Sequence, residues 1–240
     1  MTPADLAVLH TDRWFGAMPP GRQALLLRDA RVRAAASGAS LQALGGPPDG
    51  LKAVLEGEVR LVRNTAEGEE SVAAILGPGA WFGGLSAVDG GPQTDDAVAF
   101  GQARMLHLSQ PALEATAAQD PVLWRDLALL IAGSHRASQT VVAQSLTQPI
   151  LVRLARTLAG AARTGGSETV RLRQEDLAAM IGVSRPTINK ALKQLQAREM
   201  IQVAYRQIVV RDAVGLRALG SEGMSVRERH TGRSFVAPWL

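Results

Sequence analysis

The sequence predicts an α+β fold in which an antiparallel β domain, one long helix and a C-terminal pair of short helices with a β-hairpin follow one another. Three observations carry that prediction. Short β-branched or apolar runs separated by Gly-rich turns fill residues 41–108. A stripe with helical spacings of four and three runs from Leu123 to Val141. Beyond Pro149, two helical patterns meet at Gly182, Val183 and Ser184, a three-residue turn with glycine where one is needed. With 240 residues, 46% of them hydrophobic, the chain can bury a core.

Taken in order, residues 3 to about 36 have helical spacing in Leu6, Leu9, Leu25, Leu26 and Leu27, with Pro19, Pro20 and Gly21 as a break between two short helices. The runs LKAVLEG, EVRLVRN, SVAAIL and ARMLHL then read as strands, with Gly57, Gly68, Gly79, Gly83 and Gly84 at turns. GPGAWFGG reads as a link between strands rather than the opening of a helix. Ser109 with Pro111 starts a short helix, the serine capping it. Asp120 with Pro121 starts a longer one, whose stripe of Leu123, Leu127, Leu130, Ser134, Ala137 and Val141 would suit a partner helix or a buried core position. Pro149 ends it. ILVRLARTLAGAAR is a further amphipathic helix closed by Gly165 and Gly166, and TVRLR a short strand. These readings divide the chain into residues 1–119, 120–147, 148–218 and a tail, 219–240, to which no role is assigned.

Charge is unevenly divided. Residues 1–147 hold eleven Lys or Arg and fifteen Asp or Glu, residues 148–218 hold twelve and five, and the tail three and two. Concentrated basic charge is the footprint of a polyanionic partner. The absence of cysteine excludes disulfides, cysteine-ligated clusters and thiol sensing, and four scattered histidines do not suggest a metal site. No apolar stretch is long enough for a membrane span, and the first residues lack a basic start followed by an apolar run, so a cytoplasmic protein is expected. No nucleophile–base pair or phosphate-cradling loop emerges, which argues against an enzyme.

The segment QEDLAAMIGVSRPTINKALKQLQAREMI is a helix-turn-helix. Leu177, Met180 and Ile181 form the inner stripe of its first helix, and Ile188, Ala191, Leu192 and Leu195 that of its second. The free face of the second carries Arg185, Pro186, Asn189, Lys190 and Lys193 behind Ser184 as cap. A major groove admits one helix and offers guanine O6 and N7 to a bidentate Arg, so Arg185 is the first choice for base reading. Asn189 suits adenine or a phosphate, Lys190 and Lys193 either task, and Pro186 a thymine methyl. Gln174 and Thr187 are further candidate DNA contacts. MIQVAYRQIVVR reads as a hairpin wing with Tyr205, Arg206 and Gln207 at its tip, Arg206 facing the phosphate backbone.

At these residues the chain resembles the CRP/FNR superfamily of bacterial regulators, over roughly residues 20–212. IGVSRPTINKALKQLQAREMI is similar to the family's recognition-helix stretch, with Pro186 where many members carry a cytosine-reading Glu. EGEVRLVRNTAEGEESVAAILGPGAWFGGLSAV is similar to the family's β-roll, a jelly roll of the cyclic-nucleotide-binding type. The resemblance implies a winged helix-turn-helix, a homodimer paired through the long helix, a pseudo-palindromic double-stranded DNA site and contact with RNA polymerase. Members that bind cyclic nucleotides have a Glu after Phe-Gly and an Arg-Ser pair for the phosphate; here those places hold Gly84, and Asp95 and Asp96. Cyclic AMP is therefore expected to bind poorly, because an aspartate offers a phosphate like charge and no donor. Any other effector pocket would be formed by Gly83, Gly84, Leu85, Asp95, Asp96, Ser138 and Gln139. In haem-sensing relatives an axial ligand is required, and His107 would be the candidate here; a lone strand histidine is ordinarily a satisfied side chain, as is His135 on the long helix.

Overall fold

The computed structural model describes residues 1–64, 70–164 and 167–222. The chain divides into two compact units, one of Met1–Leu61 and Leu76–His135, the other of Val62–Ile75 and the residues from Arg136 onward.

The first unit opens with α1 (Pro3–Leu9), α2 (Arg13–Ala17) and α3 (Pro20–Arg28). The expected break falls at Pro19, but a second one precedes it, because Asp12 accepts from the Trp14 and Phe15 amides and starts a helix of its own. Arg31–Ala35, expected to be helical, is strand β1. Its Arg-Val-Arg alternation has the period of a strand, and it pairs antiparallel with Ala103–His107.

The remaining strands are β2 (Ser40–Gln42), β3 (Leu51–Asn64), β4 (Glu70–Leu76), β5 (Trp81–Phe82) and β6 (Asp96–Leu108). Sheet order is β1-β6-β3-β4, with β2 on β6 and β5 on β3. LKAVLEG and EVRLVRN are thus one strand, with Gly57 inside it at φ 82° rather than at a turn. Gly68 lies outside the described residues. Leu51, Lys52, Ala53, Val54 and Leu55 are all buried, so this stretch is covered on both faces.

A further departure from expectation is α4 (Gly84–Asp89), which GPGAWFGG does open. Gly83 at φ 83° turns the chain from β5 into it, and Gly84 is its first residue. A Cβ on Gly83 would stand 2.7 Å from the Gly50 carbonyl oxygen, so glycine is required there on both counts. Six residues are too few for a periodic signal.

Next come α5 (Gln110–Gln119) and α6 (Val122–Thr147). Ser109 stands at the cap of α5 but makes no side-chain cap bond, whereas Asp120 accepts from the Val122 amide at 3.2 Å. Leu123 and Leu127 are fully buried in the core formed by Leu9, Phe15, Leu26, Leu51, Trp81, Leu108 and Leu113. The start of the expected seam is thus internal to one chain, because α6 must cover the roll's open face. Arg22 fastens α3 to this region, donating to Asp120 at 2.7 Å and Asp126 at 3.0 Å. The exposed apolar residues of α6 are instead Val122, Leu129, Val142 and Leu146.

The second unit continues with α7 (Ile150–Thr164), β7 (Thr169–Val170), α8 (Gln174–Ile181), α9 (Arg185–Ala197), β8 (Ile201–Ala204), β9 (Gln207–Val210) and α10 (Ala213–Gly220). Gly165 and Gly166, expected to close α7, and the tail from residue 223 lie outside the described residues. The sheet order is β7-β9-β8. Helix α10, absent from the sequence reading, packs on α7 so closely that a Cβ on Gly220 would meet the Arg156 backbone at 3.0 Å. It extends past residue 218, the expected end of this domain.

Candidate nucleic-acid interface

Helices α8 and α9 owe their placement to a buried stripe each. In α9 these are Ile188, Ala191, Leu192 and Leu195, as the periodicity predicts. In α8 they are Leu177, Ala178 and Ile181, with Met180 only half-buried and Ala178 in its stead. Gly182 ends α8 at φ 72° with its amide on the Ala178 and Ala179 carbonyls, and Val183 also donates to Ala178 O at 2.9 Å. Asp176 is buried; it accepts from the Arg173 amide at 3.0 Å and from that guanidinium at 2.8 Å. The first turn of α8 is therefore anchored twice over.

With the inner faces fixed, the outer face of α9 is left to solvent. Arg185, Pro186, Lys190 and Lys193 are exposed, Thr187 and Asn189 half-buried, and Gln174 sits half-buried at the start of α8. Ser184 occupies the cap position, but its Oγ bonds the Thr187 hydroxyl at 2.9 Å rather than a backbone amide. The Ser184 carbonyl accepts from Ile188 and starts the helical ladder. Pro186, in the first turn, has no amide to satisfy.

The expected wing is present as β8 and β9. Ala204 pairs with Gln207, so the tip is Tyr205 and Arg206 alone, and Gln207 belongs to the strand. Arg206 takes φ 54°, a left-handed value costly for a residue with a Cβ, and Tyr205 is 86% exposed. The Arg206 guanidinium lies 5.5 Å from the Tyr205 ring centroid.

Sequence reading missed Glu175. Its Oε1 lies 3.0 Å from Arg185 Nη1, joining the first turn of α8 to that of α9. It also missed Arg153, which donates to the Ser145 carbonyl at 3.0 Å and to the Ile181 carbonyl. Arg153 thereby satisfies carbonyls in the last turns of α6 and α8, groups that have no intrahelical donor.

In the roll, Gly83, Gly84 and Leu85 form the start of α4, with Leu85 exposed. Asp95 and Asp96 stand where β6 begins. Gln42 donates to the Asp95 carbonyl at 3.1 Å, Thr94 to the Asp95 carboxylate at 2.8 Å, and the Leu44 amide to the Asp96 carboxylate at 2.8 Å. Lys52 is buried nearby, paired with Asp49 and 5.5 Å from the Phe82 ring centroid; desolvation lowers its pKa. His107 Nε2 lies 2.8 Å from the Asp49 carbonyl oxygen, the position of a satisfied side chain. Ser138 and Gln139 are exposed on α6 within the second unit, as is His135 at the end of the first. Among the described residues, no group of three or more His, Asp or Glu could hold a metal, and no helix is long and apolar enough to cross a membrane.

A two-helix unit with a polar outer face on its second helix, flanked by a β wing and preceded by a roll, defines a winged helix-turn-helix DNA-binding protein. The Crp-like helix-turn-helix domain matches residues 152–219 and the cyclic nucleotide-binding domain matches residues 32–120. The cyclic AMP receptor protein of Thermus thermophilus is 30% identical over 67% of this chain and 74% of its own length. The CRP-like cAMP-activated global transcriptional regulator of Mycobacterium tuberculosis is 29% identical over 73% of this chain and 82% of its own length. A solved CRP/FNR-family transcriptional regulator of Thermus thermophilus superposes with a TM-score of 0.67 at 25% identity, covering 80% of this chain and 99% of that one. The chain belongs to the CRP/FNR family of transcription regulators.

Proposed function

We propose that this regulator acts as a homodimer on a pseudo-palindromic duplex, each α9 entering a major groove with Arg185 on guanine. The observation that carries the reading is the division of α9 into a wholly buried apolar stripe and an outer face holding Arg185, Asn189, Lys190 and Lys193. Gln174, Ser184, Thr187 and Arg206 are assigned to the phosphate backbone, Pro186 to a thymine methyl. The basic excess of residues 148–218 supplies the salt-dependent part of the affinity.

The dimer contact is assigned to the exposed stripe of α6. Exposed Val122, Leu129, Ala143 and Leu146 and half-buried Ala132 fall on the two apolar positions of one heptad frame, with Arg125, Arg136 and Gln139 completing it. RNA polymerase contact and a cytoplasmic location are carried over from the family.

Control by cyclic AMP is not part of the proposal, although two of the relatives above are named for it. Gly84 offers no carboxylate to a ribose, and Asp95 and Asp96 present negative charge where a cyclic phosphate would need donors. The Asp96 carboxylate is also engaged by the Leu44 amide. His107 is given no haem-binding role, since its Nε2 faces the Asp49 carbonyl.

Gel shifts over a salt series test the DNA reading: affinity falls steeply with salt, and Arg185→Ala costs about 1–3 kcal/mol, confined to one base pair of the half-site. Salt-independent binding, or a uniform loss across sequences, would contradict it. Calorimetric titration with cyclic AMP and cyclic GMP tests the effector reading, and micromolar binding would sink it.

A further inference from the structure

We propose that Glu175 sets the base specificity of Arg185, holding its guanidinium in a reading orientation and penalising its engagement with anything but guanine. The inference rests on the assignment of Arg185 as base reader. The contact between Glu175 Oε1 and Arg185 Nη1, at 3.0 Å, lies in the open: the side chains are 42% and 63% exposed. An ion pair so exposed adds little to the stability of a fold, so its place on the outer face of the reading helix calls for another explanation.

The geometry supplies one. Glu175 stands in the first turn of α8, where the helix N-terminus favours a carboxylate, and the Arg173–Asp176 bonds together with buried Leu177 and Ala178 hold that turn in place. The backbone that carries its carboxylate is therefore fixed beside Arg185. Arg185, the first residue of α9, is followed by Pro186, which brings no side-chain acceptor, while the Ser184 hydroxyl is directed to Thr187. The acceptor beside Arg185 comes from the neighbouring helix instead. The contact uses one nitrogen of a group with five N–H donors, so an edge remains for guanine O6 and N7.

Two consequences follow for binding. Holding the side chain beforehand lowers the entropy lost when it reaches a base, which favours the one partner matching that orientation. A carboxylate at the reading face repels phosphate and leaves a desolvated charge against a mismatched base, which weakens every other complex. Specificity rises while non-specific affinity falls.

The experiment uses the full chain, with Glu175→Gln, Arg185→Ala and the double variant. Binding is measured to a duplex carrying the half-site recovered from genomic fragments, to its substitutions at the pair Arg185 reads, and to an unrelated duplex. Arg185→Ala abolishes discrimination at that pair. Glu175→Gln lowers the same discrimination by about tenfold and raises affinity for the unrelated duplex severalfold, and it has no effect on discrimination once Arg185 is alanine. Arg185 is exposed and Glu175 half-buried with no packing role in the core, so thermal melts match those of the unaltered protein. If Glu175→Gln leaves discrimination intact while Arg185→Ala removes it, Glu175 has no such role and the assignment of Arg185 stands. If Arg185→Ala itself leaves discrimination intact, the assignment fails and the role of Glu175 with it.

Discussion

Two glycines in left-handed conformation show how differently single residues are constrained. Gly182 takes φ 72° and a Cβ there would meet nothing within 4 Å, whereas Gly83 takes φ 83° and its Cβ would press on the Gly50 carbonyl at 2.7 Å. Gly182→Ala should therefore cost about 1 kcal/mol, from the backbone alone, and Gly83→Ala clearly more, as read by urea denaturation. Equal losses would contradict the steric part of the argument. The Asp120 carboxyl is held below its ordinary 3.8 mainly by the hydrogen bond from Arg22, with the Val122 amide assisting. A depressed carboxylate stabilises the fold above its unfolded value, and that contribution disappears as pH falls through the folded value. Asp120→Asn should thus flatten the acid limb of the stability curve below about pH 4 while lowering stability at neutral pH. At this scale the inner stripe of α9 was legible because helical period alone determines it. The Glu175–Arg185 contact was not, because a pair across two helices depends on how they cross, which spacing within either one does not encode.

At the scale of elements, the paired helices, their turn and the wing were legible in their glycine, proline and alternating residues. Short or irregular pieces were not. The six residues of α4 contain too little periodicity, and β1 was hidden at the end of a helical stretch until β6 supplied its partner. Ser109 and Ser184 marked helix starts correctly, yet neither hydroxyl caps a backbone amide. For α6 the apolar spacing was right but could not say what it faced. Leu127, fully buried in the core of its own chain, should cost about 2–5 kcal/mol on truncation to Ala. Leu146, 81% exposed, adds nothing to the packing of its own chain, and its replacement by Arg should weaken self-association in sedimentation equilibrium. An unaltered dimer would reject the seam assigned here. Arg153→Ala, which strands the carbonyl of buried Ile181 at the end of α8 while water replaces the bond to exposed Ser145, should lower stability by about 1–3 kcal/mol.

For the molecule as a whole, sequence composition sets the helix-turn-helix region apart: the acidic excess lies before residue 148 and the basic excess after it. A polyanion is drawn to the basic region, which contains the winged helix-turn-helix. The roll matches the cyclic nucleotide-binding domain over residues 32–120, and the proposal that cyclic AMP does not control it rests on Gly84, Asp95 and Asp96 offering a nucleotide neither a ribose carboxylate nor phosphate donors. The central claim is that Arg185 on α9 reads a base in a symmetric duplex site. It is tested most directly by selecting bound fragments from the host genome with the unaltered protein and with Arg185→Ala. Two inverted half-sites, each with a guanine whose enrichment vanishes for Arg185→Ala alone, are predicted; fragments without inverted symmetry, or an unchanged motif for the variant, would contradict the account.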